Sequence, residues 1–148
     1  MNIDEIDRKI LKEYSRDARL SFREIANRIN VAVGTVLSRT KKMEKDGVIQ
    51  NYTVLLNNDK LGYPLTAVTE ITVSEGKLLQ VENKIAKLPS TCAVYDVTGL
   101  SDALVIGKYR SKTELSHFTK LLLSLRHVER TNTHLVLNSI KEDFRMPL

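Results

Sequence analysis

Hydrophobic residues in the first third of the chain recur every three or four positions, with charged residues between them. This spacing is typical of amphipathic helices and predicts three short helices in this region. Asp4 can cap the first helix, and the Ser21–Glu24 segment is a capping box that opens the second. The second helix should end near Asn30. The third should run from Val33 to the Asp-Gly pair at 46–47, where glycine favours a stop.

The pattern then changes to short β-branched and aromatic runs. A strand is predicted at 48–56. From residue 65 onward the predicted order is strand, helix, strand, strand, helix, strand, at 66–73, 77–88, 91–97, 103–109, 112–125 and 131–140. Two such β-α-β units interleave into one four-stranded antiparallel sheet with both helices on one face, which is the ferredoxin-like arrangement.

The uncovered face of that sheet bears on self-association. We expect this face to carry Ala67, Thr69 and Val94. Such a surface is too apolar to remain in contact with water, so the domain should form a homodimer or be covered in another way. The alternative is that this face only packs against the helical part of the same chain.

Charge suggests a partner. The 148 residues include 23 Lys and Arg against 18 Asp and Glu, a net charge of +5, and this balance weakly favours a polyanionic partner. The excess is densest in the predicted third helix, where Arg39, Lys41, Lys42 and Lys45 face a single acid, Glu44.

Several function classes are disfavoured. No apolar run approaches the roughly 18–20 residues needed to span a bilayer, and the acidic N-terminus does not fit a signal peptide, so a cytoplasmic protein is expected. The single cysteine, Cys92, is predicted to be a small buried hydrophobic residue. His117, His127 and His134 show no metal-ligand spacing, and no nucleophilic triad or glycine-rich phosphate loop can be placed. We therefore expect no metal, no cofactor and no catalysis.

Two helices joined by a tight turn, with the second one basic, fit a helix-turn-helix that binds double-stranded DNA. The early residues of the second helix would lie near base edges, the later lysines near phosphates, and the start of the preceding helix would hold the DNA backbone. Arg39 would reach a guanine or a phosphate. The predicted DNA-binding residues are Ser21, Arg23, Val33, Gly34, Thr35, Ser38, Arg39, Lys41 and Lys42. The alternatives are a solvated basic helix in a small bundle, an architectural protein that coats DNA without sequence choice, and a small-molecule sensor whose helical part binds protein.

The chain also resembles a known family in motifs that follow one another along nearly its whole length. These motifs are Asp7-Arg8-Lys9-Ile10-Leu11, Asp17-Ala18-Arg19-Leu20-Ser21, Ile25-Ala26, Gly34-Thr35-Val36 with Arg39, Met43-Glu44 with Gly47-Val48-Ile49 and Tyr52, Lys60-Leu61-Gly62, Val97-Thr98-Gly99 with Asp102, and Thr131 with Thr133. On these residues the chain resembles the Lrp/AsnC, or feast/famine, regulators. One departure is Ala32, which stands where the family usually has a serine. Alanine cannot cap, so this helix end loses about 1 kcal/mol of stabilisation.

The resemblance implies a complete domain plan. The fold class is α+β: a helix-turn-helix domain of winged-helix type at 1–50, a linking strand and linker at 51–64, and a ferredoxin-like βαββαβ domain at 65–148 that binds an effector and assembles the protein. It further implies a transcription regulator built from homodimers, which assemble to tetramers or octamers and often sense an amino acid.

The same resemblance places the effector at the turn between two strands. There, glycine frees backbone amides for a ligand carboxylate, and Asp102 can accept an α-ammonium group. Two threonines of the last strand would face this cleft from another subunit. The predicted effector residues are Gly99, Leu100, Ser101, Asp102, Thr131 and Thr133. The alternatives are an ordinary polar hairpin turn and simple sheet surface.

Overall fold

The computed structural model describes residues 2–148, which form two compact units. One unit runs to Leu55 and includes Lys141–Leu148, and the other is Leu56–Ile140. The predicted division placed 141–148 with the second domain. These residues belong to the first unit, where the Arg145 guanidinium donates a hydrogen bond to the Ser15 carbonyl at 3.1 Å.

The first unit contains the three predicted helices, α1 (Glu5–Arg16), α2 (Phe22–Ile29) and α3 (Val33–Lys45). Asp4 caps α1 and Ser21 caps α2 in a capping box, as predicted, and the Asp4 cap is also a capping box, with Asp7. The three helices share one core of fully buried side chains, made of Ile10, Ile25, Ala26, Val36 and Met43.

An ion-pair cluster fixes α2 on α1. The Glu13 carboxylate, only 10% exposed, accepts hydrogen bonds from Arg28 at 2.9 Å and from Arg16 at 3.0 Å. These bonds, the one from Arg28 first, lower the pKa of Glu13. The Glu13 carboxylate therefore stays charged to a lower pH than an unpaired buried carboxyl group would.

The second unit is the predicted ferredoxin-like domain. Its elements are β1 (Leu65–Val73), α4 (Leu78–Ile85), β2 (Thr91–Asp96), β3 (Ala103–Tyr109), α5 (Lys112–Ser124) and β4 (Val128–Leu135). The strands lie in the order β2-β3-β1-β4, and every neighbouring pair is antiparallel. Side chains from α4 and α5, including Val81, Ile85, Phe118 and Leu122, cover one face of the sheet.

Two predicted strands differ in the structure. The last strand ends at Leu135 and not at residue 140, because its antiparallel partner β1 begins only at Leu65. The amide of Val136 makes the last hydrogen bond between the two, to the Thr66 carbonyl at 2.9 Å. The linking strand predicted at 48–56 is not formed. No strand within residues 2–148 pairs with this segment, so its side chains Val54, Leu55 and Leu56 are exposed.

The faces of the sheet were assigned the wrong way round. Ala67 and Thr69 alternate with outward residues and are buried beneath the helices, and Val94 packs against the same core opposite Val105. The uncovered face instead carries half-buried apolar side chains with polar ones between them, among them Val68, Glu70, Tyr95, Leu104, Ile106 and His134.

The burial predicted for Cys92 is also wrong. Cys92 lies at the irregularity between Thr91 and Ala93 on the edge strand β2, and its side chain is exposed. The prediction rested on the apolar neighbours of Cys92, and these do not decide burial at a bulge on an edge strand. Among the described residues, no helix is long and apolar enough to cross a membrane.

Candidate nucleic-acid interface and effector turn

The turn between α2 and α3 is set by local backbone chemistry. Asn30 adopts the left-handed conformation at the end of α2 (φ 55°, ψ 55°), and the next amide, that of Val31, donates to the Ala26 carbonyl at 3.0 Å. Ala32 then stands at the start of α3 without a side-chain cap, as predicted. Three residues therefore separate the two helices, which is the spacing of a helix-turn-helix.

One side of α3 is buried and the opposite side is open. Val36, Thr40 and Met43 are fully buried against the first unit's core. Seven positions of α3 are exposed. One of them is the acid Glu44, and the other six are Val33, Gly34, Ser38, Lys41, Lys42 and Lys45. We call these six residues the α3 stripe. Its polar groups are hydroxyl or ammonium, and it contains no acid.

The small residues of the stripe shape its N-terminal end. A Cβ added at Gly34 would meet no atom within 4 Å, so packing does not require glycine there. The missing side chain lets another molecule approach the helix backbone closely at this position. The Ser38 hydroxyl donates to the Thr35 carbonyl at 3.1 Å, and Thr35 itself is half-buried. The predicted base-edge residues therefore lie together at this end, with Thr35 at the margin.

Ser21 and Arg23, the two residues predicted to contact the DNA backbone from the start of α2, differ in how available their side chains are. The Ser21 hydroxyl accepts from the Glu24 amide at 3.3 Å and donates to the Glu24 carboxylate at 2.7 Å, so this side chain is engaged in the cap. Arg23 is exposed at the first turn of α2. Arg23 is thus the available cation beside the α2 N-terminus.

Arg39 makes contacts that the sequence prediction did not include. Its guanidinium pairs with the carboxylates of Asp4 and Asp7, at 3.0 Å in the case of Asp7. The Asp7 side chain is 2% exposed and that of Arg39 is 30% exposed. The pairing raises the pKa of Arg39, chiefly through Asp4. The structure therefore joins α3 to the N-terminus of α1 through Arg39.

The turn predicted to bind an effector, residues 99–102, is hydrogen-bonded to the sheet through Asp102. The Asp102 carboxylate accepts from the Val73 amide at 2.7 Å, and the Asp102 amide donates to the Ile71 carbonyl at 2.9 Å. These bonds extend the β1–β3 contact beyond Ile71 and Ala103, the last pair of that ladder. Asp102 thus fixes the turn, and only part of its acceptor capacity is free for an ammonium group.

The rest of the turn is open. Leu100 at its tip is 97% exposed, and Gly99 has φ +130°, which a side chain would disfavour. The Ser101 hydroxyl donates to the Glu70 carboxylate at 3.4 Å. Backbone amides and an apolar tip are therefore the groups that this turn presents.

Within one chain, the two threonines predicted to bind the effector lie away from the turn at 99–102. Thr133 is paired with buried Thr69, with 3.1 Å between their hydroxyl oxygens, and Thr131 lies opposite Ile71. Both are on β4, and β1 lies between them and the strand that follows the turn. In the described part of the chain no group of three or more His, Cys, Asp or Glu side chains is arranged to hold a metal ion.

Comparison with known proteins identifies the family. Residues 3–50 match the winged helix-turn-helix DNA-binding family, and residues 66–146 match the Lrp/AsnC ligand-binding domain. An uncharacterized HTH-type transcriptional regulator of Pyrococcus furiosus is 51% identical over 146 residues, which are 99% of each chain. This chain belongs to the Lrp/AsnC family of transcriptional regulators.

Further similarity agrees with this assignment. The HTH-type transcriptional regulator FL11 of Pyrococcus horikoshii is 34% identical over 146 residues, 99% of this chain and 97% of FL11. The structure of a Neisseria meningitidis transcriptional regulator in complex with L-methionine superposes with a TM-score of 0.91 at 26% identity, covering 99% and 97% of the two chains. A feast or famine regulatory protein of Mycobacterium tuberculosis, complexed with L-methionine, gives 0.87 at 25% identity, covering 98% and 99%.

The family membership confirms the main sequence predictions. The chain is a DNA-binding transcriptional regulator with an N-terminal helix-turn-helix and a C-terminal ferredoxin-like domain, and the family is one of regulators, not enzymes. Sequence reasoning did not select Lys45 for the α3 stripe, and it missed the acids that hold Arg39. Helical period alone would have found Lys45, whereas no local signal relates Asp7 to a residue 32 positions away.

Proposed function

We propose that this Lrp/AsnC regulator binds specific DNA sites by placing the α3 stripe in the major groove. The observation that carries the proposal is the arrangement of the stripe: small and hydroxyl residues lie toward the N-terminus of α3, and lysines follow them. Val33, Gly34 and Ser38, with Thr35 beside them, face base edges. The lysines and Arg23 contact phosphates, while Arg39 holds α3 in position and does not itself read a base.

The experiment is a mobility shift on genomic fragments, including the regulator's own promoter, with random DNA as competitor. A discrete shift that survives the competitor is expected. In the Lys41→Ala/Lys42→Ala variant, the salt dependence should weaken by a slope of about 2, because two phosphate contacts are lost. Lys84→Ala/Lys87→Ala removes the same charge from exposed positions of the second unit and is the matched control. Binding that random DNA abolishes would favour an architectural role, and an unchanged slope in the stripe variant would contradict the proposed interface.

Assembly is the second part of the proposal. A second copy covers the open sheet face, where Val68, Leu104 and Ile106 are only half-buried in one chain. Dimers that assemble further would present paired recognition helices to half-sites about one helical turn apart. Ile106→Glu should therefore lower the mass measured by light scattering. Leu79→Glu, at a position of α4 that is already 72% exposed, should leave the mass unchanged.

An amino-acid effector is the third part. Two of the similar structures are complexes with L-methionine, and the turn at 99–102 offers backbone amides to a carboxylate and Leu100 to an apolar side chain. Each of the twenty standard amino acids, added in turn to the mobility shift and to light scattering, should reveal one that changes DNA binding or mass. A lack of response to all of them would exclude amino-acid sensing and leave the DNA-binding proposal intact.

A further inference from the structure

The C-terminal turn of α3 carries an acid where the proposed interface needs positive charge. Glu44 is the only acidic residue within Val33–Lys45, and it is exposed. Lys41 lies three residues before it, a spacing at which opposite charges pair on a helix surface. A Glu44 carboxylate free to rotate would therefore compete with DNA phosphates for Lys41.

In the structure this carboxylate is held elsewhere. The Tyr52 hydroxyl donates to Glu44 Oε1 at 2.8 Å. The Tyr52 ring is in turn fixed by Tyr14 of α1, with ring centres 5.5 Å apart in an edge-to-face contact. All three residues belong to the first unit. Burial, and then the Glu44 carboxylate, raise the pKa of Tyr52 above its usual value.

We propose that Tyr52 is a positioning residue for DNA binding: it holds the Glu44 carboxylate away from Lys41 and so keeps the cationic part of the α3 stripe available to phosphates. This inference rests on the proposed DNA interface. It gives a role to the segment that directly follows the helix-turn-helix, for which the sequence predicted a linking strand.

A double-mutant cycle tests the inference with a random-sequence 30-base-pair duplex as the probe. Tyr52→Phe keeps the ring and its contact with Tyr14 but removes the hydroxyl. It should weaken binding about 3- to 10-fold and lower the salt slope by up to about 1, since Lys41 now pairs with Glu44. Glu44→Gln alone should strengthen binding less than 3-fold. In the Glu44→Gln background, Tyr52→Phe should have no further effect.

Two results would overturn the inference. The first is an equal loss from Tyr52→Phe with Glu44 and with Gln at position 44, which would mean that Tyr52 acts by another route. The second is unchanged binding in folded Tyr52→Phe. A merely structural role would lower the melting temperature in both backgrounds, so circular dichroism melts of all four proteins accompany the binding curves.

Heparin chromatography separates this inference from the proposed function, because heparin senses the cationic surface without any operator. Tyr52→Phe should elute at lower salt than the native chain, and Glu44→Gln should abolish that difference. If the native chain bound no duplex but showed this pattern, the proposed DNA function would fail, while the effect of Tyr52 on the availability of the α3 cations would stand. Equal elution of native and Tyr52→Phe would remove the role of Tyr52 even if DNA binding were demonstrated.

Discussion

The contact between α1 and α3 gives a quantitative prediction through Asp7. Its side chain is 2% exposed, and its carboxylate accepts two hydrogen bonds, one from Arg39 at 3.0 Å and a capping bond from the Asp4 amide at 3.2 Å. Asp7→Ala removes both bonds and leaves the Arg39 guanidinium with one acid fewer. Hydrogen bonds to charged groups contribute about 1.5–3 kcal/mol, and breaking a fully buried ion pair costs about 3–5 kcal/mol. Because Arg39 is partly exposed and still has Asp4, we expect a loss of about 2–3 kcal/mol.

Thermal and urea denaturation, followed by circular dichroism, measure this loss. The melting temperature of the helical unit should fall by on the order of 10 °C, given the size of that unit. Glu5→Ala is the matched control: this acid lies on the same helix, but its side chain is 80% exposed and its ion pair with Lys9 lies at the surface, so its removal should have little effect. A melt of Asp7→Ala no lower than that of Glu5→Ala would refute the reasoning.

The same series decides the role of Arg39. Arg39→Ala should lower stability and weaken DNA binding together, and it should add little in the Asp7→Ala background, since the two side chains act as one contact. If Arg39→Ala abolished DNA binding while the melting temperature stayed at the native value, Arg39 would contact DNA and would not be the anchor described above.

Three further perturbations test other parts of the fold. Ala32→Ser should supply the missing cap of α3 and stabilise the protein by about 1 kcal/mol in urea denaturation. Gly107→Ala should destabilise it by roughly 1–3 kcal/mol, because the new Cβ would overlap the buried Tyr109 hydroxyl and lie 2.9 Å from the Ser90 carbonyl oxygen. Glu13 has a lowered pKa, so its stabilisation is complete well above the ordinary value of 4.5 and is lost as the pH falls through the lowered value. In Glu13→Gln the free energy of unfolding should thus fall less steeply below about pH 5. The same pH dependence in the variant and the native chain would exclude this contribution.

Most of the fold was predictable because its signals are local. The caps at Asp4 and Ser21, the left-handed Asn30 and the glycine stop after α3 each act within four residues, and all of them appear in the structure. The order of strands and helices in the second unit is likewise determined by periodicity within short segments. These features need no knowledge of what lies opposite in space.

The errors arose where pairing across the chain decides the outcome. The segment 48–56 has strand-forming residues but no partner strand within residues 2–148, and β4 begins and ends where β1 allows it. The sheet faces were exchanged because apolar residues occupy both sides of β1, so alternation alone does not say which side the helices cover. Only packing against α4 and α5 resolves that choice.

The cations of α3 show why charge alone does not define a DNA-binding surface. Arg39 and Lys41 are two residues apart in sequence and look alike as phosphate or base contacts, but 100° of rotation per residue directs them to different surroundings. Arg39 meets a buried acid and Lys41 meets solvent. The acid Glu44 would offset one cation if it were free, yet Tyr52 holds it. The number of α3 cations available to DNA phosphates is therefore determined by residues outside the helix-turn-helix motif itself, on α1 and in the segment after α3. The effect of a substitution on DNA binding therefore depends on whether it alters the Asp7–Arg39 and Tyr52–Glu44 contacts, as well as on whether it alters the lysines that face DNA.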